Sequence, residues 1–223
     1  MQFDQFADDY AHILDNSVGI SGEDSKYFAE YKAGYLHRIY PPSFSGKVLD
    51  FGCGVGLLAG YMKRAFPAIQ LDGFDVSADS IRRVDPYLTA QGCFTSRSAD
   101  LAADYQLIVV ANVMHHVPPD QRTNTVQELA RRLVHGGRLV IFEHNPANPV
   151  TRRIVERCPF DEDAILLPPG ETSGYVRQAG LQIGRRDYIV FMPRPLAWLR
   201  RFEPSLSWLP LGAQYVVVAH KHA

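Results

Sequence analysis

The sequence predicts an α/β fold. It reads as one domain with a seven-stranded, mostly parallel sheet, helices on both faces and an antiparallel C-terminal edge. Three observations predict it. From about residue 45 onward, short apolar runs alternate with helical patterns, as in strands joined by crossover helices. A glycine-rich turn, "VLDFGCGVGLLAG" (48–60), joins the first strand to the helix after it. The alternation then stops, and the chain closes on two strands, which predicts an antiparallel edge. A length of 223 residues suits a single domain of this kind.

The elements follow in order. Residues 1–45 read as a mostly helical N-terminal cap. In "EDSKYFAEYKAGYLHRIY" (23–40), Tyr27, Phe28, Tyr31, Tyr35, Leu36 and Ile39 recur near helical spacing, up to Pro41-Pro42. "KVLDF" is a buried strand, and "GLLAGYMKRAF" a helix closed by Pro67. "IQLDGFDV" is the second strand, followed by a helix, "SADSIRRVDPYL", with Ser77 as its N-cap. "CFTSR" is a short third strand and "YQLIVVANV" the most apolar one. "PPDQRTNTVQELARRLVHGG" is a helix entered through prolines and ended by Gly136-Gly137. "RLVIFEH" is the fifth strand and "PGETSGYVRQAG" a helix. "LQIGRRDYIVF" and "AQYVVVAHK" are the closing strands. Two proline-rich segments, 145–168 and 192–211, break the alternation and read as substrate-facing insertions.

Composition narrows the function. Hydrophobic residues make up 46% and charged residues 21%, a soluble globular balance. A net charge of −1 argues against a broad nucleic-acid surface. Three cysteines, Cys53, Cys93 and Cys158, offer no CxxC pair, which disfavours a zinc cluster or disulfide scaffold and fits a reducing cytoplasm. The first residues, "MQFDQFADDYAHILDN", hold no apolar core of signal-peptide length, and no run reaches the length of a membrane span. A cytoplasmic protein is expected.

The glycine turn lacks the Lys-Ser or Lys-Thr of a phosphate-binding P-loop, and Leu57 stands where a dinucleotide fingerprint needs its third glycine. What is present is DxGxGxG, from Asp50 through Gly52 and Gly54 to Gly56. A carboxylate on that strand suits an ammonium better than a pyrophosphate. Asp75 ends the second strand, where related folds hold a ribose, and Asp100 follows the third in "SAD".

"VLDFGCGVG", "DGFDVS", "SAD", "LIVVANVMHHV" and "LVHGGRLVIFEH" occur in an order and spacing that resembles class I S-adenosylmethionine-dependent methyltransferases, which have a Rossmann-like fold. Among these the chain looks most like the small-molecule group that includes quinone and cyclopropane-type enzymes. The likeness covers roughly residues 45–145. It implies S-adenosylmethionine as cofactor and S-adenosylhomocysteine as product. It further implies that Gly52, Gly54 and Gly56 admit the methionine part and that Asp50 engages its amino group. Asp75, with Val76 beside it, would take the ribose hydroxyls. Asp100 and Leu101 would line the adenine pocket, and Asn112 and Val113 would contact the methionine moiety.

The acceptor is expected to be a small molecule. Enzymes that methylate DNA bases carry an Asp/Asn-Pro-Pro-Tyr/Phe turn after the fourth strand, and this chain has "NVMH" there. RNA and protein acceptors, or a silent cofactor-binding partner subunit, are the alternatives. Methyl transfer needs a base only when the nucleophile's proton leaves near the transition state. The rim residues Glu143 and His144 are the candidates for proton removal or substrate recognition, with His116 next. His115-His116 also fit a role ordering the loop before Pro118. No metal is expected, because adjacent histidines seldom converge without further ligands. Tyr10, Tyr31 and Tyr35 are expected to close over the cofactor, with Lys32 meeting its carboxylate. Arg152 and Arg153 are candidates to recognise an acidic group on the acceptor. Trp198, in a helix starting at Pro195, is expected in a lid over an apolar acceptor. Dimer packing and a peripheral membrane contact are the competing readings of that segment.

Overall fold

The structure, a computed structural model, describes residues 22–222. Tyr10 and most of the expected N-terminal cap lie outside the described residues. The sheet is built from β1 (Lys47–Phe51), β2 (Gln70–Phe74), β3 (Phe94–Thr95), β4 (Tyr105–Ala111), β5 (Leu133–His144), β6 (Gln182–Ile189) and β7 (Gln214–His220), in the order β3-β2-β1-β4-β5-β7-β6. β1 to β5 run parallel, whereas β7 is antiparallel to both β5 and β6. The antiparallel pair is the expected one. Its last strand, β7, lies inside the sheet, because it is buried along almost its whole length; β6, with the exposed Arg185 and Arg186, forms the edge.

Side-chain alternation along the strands makes two cores. Val48, Leu71, Val109, Val140, Phe142 and Val216 pack on one face, together with Ala33 and Leu36 of α1 (Ser25–Leu36) and Leu58 and Met62 of α2 (Leu57–Ala65). Leu49, Ile108, Val110, Leu139, Ile141 and Val217 pack on the other. There they meet Val126 and Leu129 of α5 (Pro119–Arg132) and Val176 of α7 (Pro169–Gln178). At about 25 cal/mol per Å² of buried apolar surface, these layers supply most of the driving force for folding.

Three elements differ from expectation. The helix after β2 is two short ones, α3 (Ala78–Arg82) and α4 (Pro86–Thr89), because Pro86 cannot continue a helix and Asp85 caps the amide of Tyr87 instead. Ser77 caps α3 as expected, accepting from the amide of Ser80. The helix before β5 ends at Arg132, and Leu133 already pairs with Tyr105. The glycine pair lies inside the strand, where Gly136 takes φ 75° at a shift of register. The segment expected as a helix from Pro195 is a 3-10 stretch, Arg194–Leu206. No helix of the described residues is long and apolar enough to cross a membrane.

The strand order reverses between β1 and β4, which opens a crevice beyond their carboxyl ends. α1 covers one side of that crevice. α6 (Pro149–Val155), from the first insertion, covers another.

Candidate active site

A cavity of about 870 Å³ occupies the crevice. Its floor is the turn after β1. Gly52 takes φ 80°, and a Cβ there would lie 2.1 Å from Val113 Cγ2. Only glycine fits the turn, and the backbone is left open to a ligand.

Three buried side-chain oxygens around the cavity are poised to accept. Asp50 is buried on β1, and its Oδ2 has no hydrogen-bond partner among the described residues. Burial raises its carboxyl to about 7; Asp75 adds to the rise and Lys32 opposes it. Asn112 Oδ1 and Gln214 Oε1 are likewise buried without a partner among the described residues, and both residues line the cavity. A buried carboxylate oxygen left unpaired is costly, and a ligand ammonium would satisfy it. Asp75 is oriented by two amides, Gly54 N at 2.8 Å and Ser77 N at 2.9 Å. Each oxygen keeps lone-pair capacity for a hydroxyl. Lys32 of α1 is buried in the same wall. Burial lowers its ammonium to about 8, against the pull of Glu143 and Asp50. Two cavity residues, Asn112 at φ 57° and Val190 at φ 59°, hold left-handed backbone, which is rare for a β-branched side chain.

The opposite wall is a cluster of histidines and acids. Glu143, on β5, is fully buried below the surface. It accepts from Val113 N at 3.0 Å and Met114 N at 2.7 Å, and pairs with His115 Nδ1 at 2.6 Å. His115 Nε2 points the other way, 3.3 Å from Asp161 Oδ1, and His116 Nε2 lies 3.4 Å from that same oxygen. The His144 ring centre is 5.2 Å from that of His115. Burial opposes the charge on His115, but Glu143 and Asp161 outweigh it and raise it to about 9. Burial, then the charge on His115, lower His116 and His144 to about 4, so both imidazoles are neutral.

The structure corrects several expected contacts. Asp100 lies outside the cavity lining, its carboxylate held by Thr95 Oγ1 at 2.8 Å and Arg97 Nε at 2.9 Å. Leu101 is buried in the core behind Phe74. Tyr31 gives its hydroxyl to Glu203 and Tyr35 to Asp187, so neither lines the cavity. Tyr27 and Phe28 of the same helix line it instead. Helical phase decides at α6, where Val150, Thr151 and Ile154 face the cavity and turn Arg152 and Arg153 to solvent. Glu143 is fully buried and does not line the cavity, its carboxylate being taken up by His115 and two backbone amides. Trp198 is 67% exposed and Trp208 73%, so the 3-10 segment presents its aromatics outward. That segment acts through Glu203, whose carboxylate accepts from Tyr31 Oη and the amides of Phe191 and Met192. Phe191, Met192 and Pro193 line the cavity. Asp50, Gly52, Gly54, Asp75, Val76, Asn112, Val113, His116 and His144 all line it, whereas Gly56, expected beside the first two glycines, lies outside the lining, where its φ of 81° starts α2.

Sequence reasoning missed Asp161, Gln214 and Glu203. Asp161 lies in "CPFDED", and only the fold of the 145–168 segment brings it to the histidines.

Comparison with known proteins agrees with this geometry. A family model described as a methyltransferase domain matches residues 24–183, and the chain belongs to that family. S-adenosylmethionine is the cofactor of these domains, and the unpaired Asp50 oxygen, the open glycine turn and the oriented Asp75 fit it. A curated relative, the ribosomal RNA small subunit methyltransferase C of Aliivibrio salmonicida, is 32% identical over 128 residues, 52% of this chain and 38% of its own length. The chain thus spans well under half of that relative. Among solved structures, a complex of the Haloferax volcanii Trm112 methyltransferase activator with a methyltransferase aligns with a TM-score of 0.70 and 17% identity, over 100% of this chain and 98% of that one. The magnesium protoporphyrin IX methyltransferase of Synechocystis PCC 6803, with bound S-adenosylhomocysteine, aligns with a TM-score of 0.64 and 14% identity, over 92% of this chain and 86% of that one.

Proposed function

We propose that this chain methylates a small, largely apolar acceptor, with S-adenosylmethionine as methyl donor. The cofactor supplies a methyl group on a positively charged sulfonium. The observation that carries the cofactor half is the buried Asp50 Oδ2 near the end of β1, which has no partner among the described residues. In this reading Asp50 holds the ammonium, Gly52 and Gly54 let the amino-acid portion lie against the backbone, and Asp75 accepts from the ribose hydroxyls. Val76 and Phe74 offer an apolar surface beside them.

The acceptor half is lined by Phe28, Val117, Ile154, Phe191 and Met192, with the imidazoles of His116 and His144 among them. An apolar acceptor fits these walls and excludes water from the reacting centre. His116, whose imidazole lines this wall, is the side chain placed to take a proton from the acceptor's nucleophile. The reading takes residues 1–223 as one domain, in which the 145–168 insertion forms the acceptor wall. It places the protein in the reducing cytosol, consistent with three free cysteines.

Calorimetric titration with S-adenosylhomocysteine tests the cofactor half. Asp75→Ala is expected to cost about 1.5–3 kcal/mol of binding, and unchanged affinity in a folded variant would remove the ribose assignment. A panel of apolar metabolites bearing hydroxyl or amine groups, with ribosomal RNA alongside, tests the acceptor. The curated relative is named as a ribosomal RNA methyltransferase, but a net charge of −1 gives little attraction to a phosphate backbone. Methylation of the RNA alone would overturn the small-acceptor reading.

A further inference from the structure

We propose that His115, His144 and Asp161 form a binding site for one first-row divalent cation on the acceptor wall of the cavity. The donors come from three separate places: the turn after β4, the end of β5 and the segment after α6. Their ligating atoms lie within 4.8 Å of one another. Tetrahedral zinc with bonds of about 2.0–2.2 Å puts two of its ligands about 3.4 Å apart. A pair at the 4.8 Å limit therefore closes by roughly 1.4 Å, a side-chain rotation, while His115 Nε2 and Asp161 Oδ1, at 3.3 Å, already stand at ligand spacing.

A second observation points the same way. Glu143 Oε2 sits 2.6 Å from His115 Nδ1, and two backbone amides lock Glu143 Oε1. A carboxylate on the far nitrogen is the arrangement that fixes the tautomer and aim of a metal-bound imidazole. The cofactor needs none of this, because its expected partners, Asp50 and Asp75, lie at the ends of other strands. Two imidazoles with one carboxylate suit borderline ions such as zinc, cobalt or iron(II) better than magnesium or calcium. All three side chains line the cavity, so the ion's remaining positions face the acceptor space. Under the methyltransferase reading, on which this last step rests, those positions would take an oxygen of the acceptor and make its hydroxyl easier to ionise.

The test uses untagged, chelator-treated protein titrated with Co²⁺ alone and then with Zn²⁺ in competition, and S-adenosylhomocysteine binding is measured on the same sample. One cobalt per chain, displaced by zinc and with the visible bands of a nitrogen–oxygen site, is expected. Glu143→Gln should weaken it by about 10–100-fold, and His144→Ala and Asp161→Asn by at least as much, each still binding S-adenosylhomocysteine. Protein that binds S-adenosylhomocysteine but no cobalt overturns the metal site and leaves the methyltransferase reading standing. Cobalt binding unchanged in the His144 and Asp161 variants overturns the assigned ligands. Cobalt binding without S-adenosylhomocysteine binding upholds the site and overturns the methyltransferase reading.

Discussion

The two walls of the cavity are built in opposite ways. The cofactor wall comes from neighbours in sequence. Asp50, Gly52 and Gly54 lie within five residues, and Asp75 closes the adjacent strand. Its electrostatics are unfinished, with a buried carboxylate oxygen left without a partner among the described residues. The acceptor wall comes from residues far apart, His115, Glu143 and Asp161, and its charges are satisfied among themselves. The Asp50 oxygen with no partner among the described residues marks a ligand position, while Glu143, held by two amides and His115, aims other groups.

The contrast predicts opposite responses to charge removal. The largest effect is expected at Glu143→Ala. It strands the amides of Val113 and Met114 and leaves His115 beside Asp161 without its main counter-charge. Breaking a buried pair from one side costs about 3–5 kcal/mol, which chemical denaturation would read. A loss under about 1 kcal/mol would mean that the acceptor wall does not depend on this pair.

Removing Asp50, whose Oδ2 has no partner among the described residues, should do the reverse. The folded-state carboxyl of Asp50 is raised from 3.8 to about 7, so the folded chain holds a proton that the unfolded chain has lost between those values. Folding stability from this group is therefore full below pH 3.8 and falls as pH rises toward 7. Asp50→Asn abolishes that fall. At pH 8 the ligand-free variant should be more stable than the parent by an amount on the order of a few kcal/mol, shrinking to near zero at pH 4. Thermal unfolding at the two pH values would show it, and a destabilised variant at pH 8 would mean that Lys32 already pairs the charge.

The smallest effect is expected away from both walls. Trp198→Ala should change stability and S-adenosylhomocysteine affinity by less than about 0.5 kcal/mol, because the ring is mostly in solvent. Loss of cofactor binding would restore the lid that the sequence suggests.

The same contrast explains what the sequence makes legible. Contiguous features that act through backbone geometry can be read directly: the glycine turn, Asp50 and the acid ending β2. The sheet is legible for the same reason, since its alternation is local. Its errors lie where a local cue competes with pairing. Leu133 joins β4 before the glycines that signal a helix end. Asp161 and Glu203 become functional only through tertiary convergence, and no spacing announces them. Arg97, three residues before Asp100, does carry the signal that this acid is already paired. The apolar Val150 and Ile154 likewise give the phase that turns Arg152 away. Trp198 and Trp208 mislead because exposed aromatics on a proline-rich 3-10 segment look like lid residues in sequence.

The central claim is that Asp50 waits for the ligand's ammonium, and a binding cycle tests it most directly. Parent and Asp50→Asn are each titrated with S-adenosylhomocysteine and with its analogue lacking the amino group. The account predicts that Asp50→Asn weakens S-adenosylhomocysteine by about 1.5–3 kcal/mol and leaves the deaminated analogue nearly unchanged. An equal loss for both ligands would contradict it, because Asp50 would then shape the pocket without meeting the ammonium.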